Sequence, residues 1–162
     1  MTCERCDLIP NAHSFIHFGA VNGINLFYTS PARAIDYKET AETFNYYKTH
    51  IDSAKNNKWI WMVDCEGMQM KHYSSIEIIK KLIQMILDEH KGLLQSIWII
   101  HPNTWIKTAL MLIRQFLNKD IYEKIQMIDG DKMEVYLALE KRGLKGEHIK
   151  WLTSTFAKPF AN

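Results

Sequence analysis

The chain has little cysteine, almost no net charge and no long apolar run, and each shortage closes a class of function. Three cysteines in 162 residues, an odd number, argue against the disulfide framework of a small secreted protein. Twenty basic and 18 acidic residues leave a formal net charge of +2, too small to make a case for nucleic acid. No apolar stretch approaches the ~20 residues of a membrane-spanning helix, and the N-terminus has no secretory apolar region. A cytoplasmic protein is therefore expected, with at most peripheral contact at membranes. No Gly-x-Ser-x-Gly elbow, P-loop or glycine-rich dinucleotide turn occurs, so signals for a nucleophile or a nucleotide cofactor are missing.

Two constellations of polar residues need an answer. Cys3, Cys6, His13 and His17 have the pair spacings of a zinc site, but six residues separate the pairs where common fingers use about 12–15. They also straddle Pro10 and the start of a predicted strand, so no metal is assigned and the question stays open at these four. Asp64, His101 and Asp129 each end a predicted strand, the edge at which parallel sheets carry their sites. Without a nucleophile they read as turn-shaping and strand-ending residues, and the chain is expected to be no enzyme and to need no cofactor.

What is present is alternation. SFIHFGAVNGINLFYT predicts a β-hairpin, because Asn22-Gly23 between two apolar runs favours a turn with positive φ. A helix is predicted over 36–53, with Tyr37, Ala41, Phe44 and Ile51 on one stripe and Asp36 and Glu39 as a capping box. A strand over 58–64 follows, then a helix over 75–90 that turns Ile76, Ile79, Ile83 and Ile86 to the sheet, with Ser74 and Glu77 as its cap. Next come a strand over 97–100, a helix over 104–117, a short strand over 125–128 and a helix over 132–142. The last is framed by Asp131 and Glu134 at its start and by Lys141, Arg142 and Gly143 at its end. The order predicts an α/β fold, a mostly parallel sheet with helices on its faces and an N-terminal β-hairpin. The length suits one domain, and 47% hydrophobic residues suffice for a core. The tail from Gly146, with Trp151, Phe156 and Phe160, is apolar enough to dock on the body.

The stretch 96–128 carries the most information. Ile97–Ile100 shows no polar alternation, as in a strand covered on both faces. The helix after Pro102 places Trp105, Ala109, Leu112 and Phe116 on one stripe, which Ile106, Leu110, Ile113 and Leu117 widen. Periodicity leaves two readings of this wide apolar arc open: a cover over a hollow, or one wall of a solid core.

IIHP at 99–102, FLNKDIYEKI at 116–125 and WIWMVDCEGM at 59–68, in that spacing, resemble the CRAL-TRIO lipid-binding domain family. HPNTWIKT resembles most closely the divergent members found in Rho GTPase-activating proteins. The resemblance covers about residues 56–145. It implies a single CRAL-TRIO-like domain over 1–162, here without the usual N-terminal helical subdomain, and a lipid or other small hydrophobic ligand held between the sheet and a gating helix at 104–117. The residues so implied are Trp59, Trp61, Trp98, Ile100, Trp105, Ala109, Leu112 and Phe116, with Met111 beside them and Lys124 in the place of a head-group lysine. The chain departs from phosphoinositide-binding members at Gly92, where they carry an acidic residue, and at Trp59 and Trp61, where they carry small hydroxyl residues. A hydrophobic-ligand fold is thus better supported than phosphatidylinositol specificity. Lys107, Arg114, Lys119 and Lys124 would suit peripheral contact with an anionic membrane. The alternative is a protein-interaction adaptor with a collapsed pocket, its partner of the small-GTPase-regulator type.

Overall fold

In the computed structural model, residues 15–33, 40–54 and 56–155 are described. Cys3, Cys6, His13, Asp36, Tyr37, Glu39, Phe156 and Phe160 lie outside them. Five strands form one sheet in chain order: β1 (Phe15–Val21), β2 (Ile24–Thr29), β3 (Trp59–Asp64), β4 (Leu94–Ile100) and β5 (Ile125–Ile128). β1 and β2 are the expected hairpin, antiparallel around Asn22 and Gly23, whose φ values of 51° and 77° match the mirror-image turn that right-twisted strands require. β2 to β5 are parallel. The helices are α1 (Thr40–Ser53), α2 (Ile76–Glu89), α3 (Thr104–Ile113), α4 (Lys119–Glu123), α5 (Lys132–Lys141) and α6 (Gly146–Thr155).

Several elements differ from the expectation, among them the helix over Gly146–Thr155, where only an apolar tail was expected. The helix predicted over 104–117 ends its α portion at Ile113 and finishes as a 3-10 turn over Arg114–Phe116. The short α4 was not predicted; Asn118 starts it by accepting the Ile121 N–H, a cap that would have been readable in Asn-Lys-Asp. The strand at 97 also begins earlier, at Leu94. Asp131 and Glu134 form the expected capping box.

Successive strand residues face opposite sides, which divides the interior in two. On one side Leu26, Tyr28, Ile60, Met62, Trp98, Ile100 and Ile128 pack with Val135, Leu139, Leu144 and Leu152 of the α5–α6 region in one continuous cluster. The tail docks here: Ile149 and Leu152 belong to this cluster, and His148 meets the Phe18 ring at 5.4 Å. The opposite side carries two separate clusters. Phe15, Phe27, Trp59, Ile51, Ile78, Leu82 and Ile86 form the first, and Cys65, Met68, Ile99, Ile106 and Ala109 form the second.

Candidate ligand-binding cavity

Between these two clusters the sheet and helices line a partly open cavity of about 150 Å³. Its floor follows from register. Trp61 and Val63 of β3 lie beside Ile97 and Ile99 of β4, Ile97 pairs with Ile125 of β5, and Thr29 of β2 pairs with Val63. One face of four parallel strands is therefore paved with aliphatic side chains, one indole and the Thr29 side chain. Ile78, Ile79, Leu82, Ile83 and Ile86 of α2 form one wall, Ile106, Leu110, Ile113 and Leu117 another, and Thr43 and Tyr47 of α1 close an end with His72.

Of the nine residues assigned from sequence, Trp61 lines this cavity. Trp98 and Ile100 point to the opposite face of the sheet, into the α5–α6 cluster. The segment 97–100 of β4 is apolar throughout, so it carries no alternation from which to choose the side. Trp59 is fully buried but turns into the aromatic packing around Phe15 and Phe27, its ring 5.7 Å from Phe27 and 6.3 Å from Trp61. Ala109 is buried in the second cluster. Trp105, Leu112 and Phe116 are 40%, 49% and 46% exposed, on the outer side of the helix. The cavity receives the neighbouring stripe instead, one residue further along, a rotation of about 100°. Lys80 stands over the Phe116 ring at 4.2 Å and Arg114 over the Tyr122 ring at 5.0 Å, contacts that stabilise aromatic side chains at the surface.

Lys124 lies at the other end of the parallel strands. It ends α4, and its carbonyl accepts from the Ile97 N–H at 2.8 Å and from the Ser96 hydroxyl at 3.2 Å. Its side chain borders a second hollow of about 300 Å³, shared with Lys91, Gly92, Asp120 and Glu123. Ile86 and Ile121 line both spaces.

Two polar features were not anticipated. The Trp61 Nε1–H donates to Thr29 Oγ1 at 2.9 Å, joining diagonal neighbours of β3 and β2. The Gln69 N–H donates to His72 Nδ1 at 2.8 Å; burial and the nearby Lys71 hold the imidazole below its ordinary value of 6.5, so the ring is neutral with its proton on Nε2. The first has no signature in the sequence, because it joins residues on different strands whose proximity only the fold creates; the second is a local contact between residues three apart.

The carboxyl ends of the strands hold a buried network on the opposite side. Asp64 accepts from the Tyr28 hydroxyl at 2.7 Å and the Glu66 N–H at 3.0 Å, and its Oδ1 is 3.0 Å from His101 Nδ1. Burial acts to raise its pKa, but the hydrogen bonds from His101, Tyr28 and Glu66 prevail and lower it. Burial, reinforced by the same Asp64 contact, pushes the Tyr28 phenol upward. Glu66 pairs with Arg33 and Lys132 at 3.0 and 2.9 Å. Asp64, Glu66 and His101 place possible ligand atoms close together, yet the two flanking cations already compensate the carboxylates, a poor setting for a metal ion. Asp129 is exposed and lies 3.8 Å from Lys107. The network therefore serves position. His101, at φ 49°, leads into Asn103, which donates to the Cys65 and Met68 carbonyls and accepts the Ile106 N–H. The N-terminal end of α3 is thus fastened to the loop after β3. His17, from the unassigned cysteine–histidine set, contacts Asn25 at 3.2 Å.

Comparison with known proteins agrees with this architecture. A model of the CRAL/TRIO domain matches residues 37–142. The Rho GTPase-activating protein gacY of Dictyostelium discoideum is 24% identical over 99 residues, which are 61% of this chain and 13% of that protein. The crystal structure of Sfh5 is similar with a TM-score of 0.60 at 14% identity, covering 91% of this chain and 65% of that one. The chain therefore spans a small part of the curated relative and just under two thirds of the solved structure, and the latter likeness is one of fold.

Proposed function

The chain belongs to the CRAL/TRIO domain family, and from that membership and the hollow beside the sheet we propose that it binds a lipid or other small hydrophobic molecule without covalent chemistry. The fold supports hydrophobic-ligand binding in general. The observation that carries the reading for this chain is the cavity of about 150 Å³ walled by Ile, Leu and Val side chains of β3, β4, α2 and α3. An apolar cavity of that size has room for a benzene-sized guest. Each methylene buried there is worth about 0.8 kcal/mol. A longer chain needs more room than this, and α3 is the element to supply it: its start is fastened through Asn103, while its far end breaks into a 3-10 turn. Lys124, beside the second hollow, is suited to a polar head group whose chain passes between Ile86 and Ile121. No helix among the described residues is long and apolar enough to cross a membrane. The reading places the protein in the cytoplasm and in peripheral contact with membranes during exchange. Native mass spectrometry and organic extraction of the purified protein test it. Recovery of a stoichiometric hydrophobic compound is expected; a protein that retains nothing and takes up no apolar probe refutes it.

One observation favours a second reading. Trp105, Met111, Leu112 and Phe116 are 40–71% exposed along one side of α3 and its 3-10 extension, an apolar patch suited to a protein partner. In the adaptor reading that partner is of the small-GTPase-regulator type, as the name of gacY suggests. Partner capture that is lost on Leu112→Glu and unaffected by delipidation would favour the adaptor; lipid transfer between vesicles would favour the first reading.

A further inference from the structure

The cavity holds one polar group whose hydrogen bonding is half complete. Thr29 is 4% exposed and lines the cavity. A hydroxyl carries one donor and two acceptor positions. Thr29 Oγ1 accepts from Trp61 Nε1 at 2.9 Å, and no acceptor among the described residues takes the hydroxyl's own proton. A buried donor left unused is costly, and the Trp61 indole blocks one side of the oxygen, so the remaining freedom of the O–H is the cavity it borders.

We propose that Thr29, oriented by Trp61, donates a hydrogen bond to the ligand, and that the ligand is an uncharged apolar molecule with one oxygen acceptor, of the aldehyde, ketone or ester class. This rests on the reading that the cavity is a ligand site. The charge state of the wall selects against anions. Among the described residues that line it there is no Asp, Glu, Lys or Arg, and His72 is neutral because burial lowers its pKa. A carboxylate would enter as a buried charge without a partner, which is far more costly than burying a carbonyl that finds a donor. A plain hydrocarbon fits the walls but leaves the Thr29 proton unused.

Acetophenone, isopropylbenzene and benzoate are similar in size and differ in the one property at issue, and their binding to the full 162-residue chain is measured by isothermal titration calorimetry. The wild type is expected to bind acetophenone at least as tightly as isopropylbenzene, although a carbonyl buried without a donor would bind more than tenfold more weakly than the hydrocarbon. Benzoate is expected to bind at least tenfold more weakly than acetophenone. In Thr29→Val the ratio of acetophenone to isopropylbenzene affinity drops about tenfold, and Thr29→Ser, which keeps the hydroxyl, restores it. A wild-type preference of tenfold or more for isopropylbenzene, a Thr29→Val ratio equal to that of the wild type, or benzoate binding tighter than acetophenone would each overturn the proposal. The wild-type ranking decides the matter even if the valine variant does not fold. Failure of all three probes to bind the folded wild type refutes the ligand site itself and this inference with it.

Discussion

Ile113 and Leu112 are adjacent on α3, and their truncation to alanine separates the two orientations open to that helix. Ile113 is 5% exposed and lines the cavity, whereas Leu112 is 49% exposed on the outer side. Ile to Ala in a core costs about 2–5 kcal/mol. The low end applies here, because the cavity already leaves one side of Ile113 without neighbours to lose and alanine returns a few tenths of a kcal/mol in helix propensity. About 2 kcal/mol is expected for Ile113→Ala, or roughly 4–8 °C in Tm for a chain of this size. Leu112→Ala removes a side chain that is half in water, so the loss is below about 1 kcal/mol. Urea denaturation followed by circular dichroism measures both, with unchanged m-values as the condition for comparing midpoints. If Leu112→Ala were the more destabilising, α3 would sit about 100° from the orientation described, and the cavity walls assigned to it would be misassigned.

Three further outcomes follow from named contacts. Val63→Phe puts a ring into the cavity of about 150 Å³ and should change stability by less than about 1–2 kcal/mol while abolishing recovery of an extractable ligand, checked by mass spectrometry. Asp64→Asn weakens the acceptor for Tyr28, His101 and Glu66 and should cost about 2–3 kcal/mol at neutral pH; because the native carboxyl titrates below its ordinary value of 3.8, its stabilisation is present above that value and fades as pH falls through the lowered one, so the difference between wild type and variant in urea midpoint should shrink only in strong acid. The His72 pKa is also lowered in the fold, so its neutral form stabilises above 6.5 and this contribution is lost as pH falls below that value; His72→Asn should remove that part of the midpoint's pH dependence, and a variant curve parallel to the wild type would refute the assignment.

The course of the chain was readable because its signals are local. Asn22-Gly23 specifies its turn through φ, Asp131 and Glu134 announce a helix start, and the alternation of strands with amphipathic helices dictates a largely parallel sheet. The resemblance of WIWMVDCEGM and IIHPNTWIKT to a lipid-binding family pointed to the family that the comparison finds, including its Rho GTPase-activating relatives. Local signals cannot orient an element that is apolar on all sides. β4 places Trp98 and Ile100 on one face and Ile97 and Ile99 on the other, so the segment 97–100, from which the strand was read, offers no polar residue to mark the side that meets the cavity. The same holds for α3, where Trp105, Leu112 and Phe116 match the hydrophobicity of Ile106, Leu110 and Ile113. The helix resolves the tie by shape: β-branched and smaller side chains face inward, and the bulky Trp105 and Phe116 stay half in water.

That resolution also explains why a hollow exists at all. Below, four large rings crowd together, with Phe15 and Phe27 at 5.2 Å and Phe15 and Trp61 at 6.0 Å, and Trp59 completes the filling. Above, the floor residues are Val63, Ile97 and Ile99, whose short side chains leave space beneath the helices. Had Trp105 and Phe116 turned inward, their rings would occupy that space; with the isoleucine stripe inward the two clusters stay apart. The distribution of side-chain size along two elements, aromatic at the lower end of β3 and aliphatic above, is therefore what leaves room for a guest, and Thr29 stands at the edge of that room with Trp61 beside it.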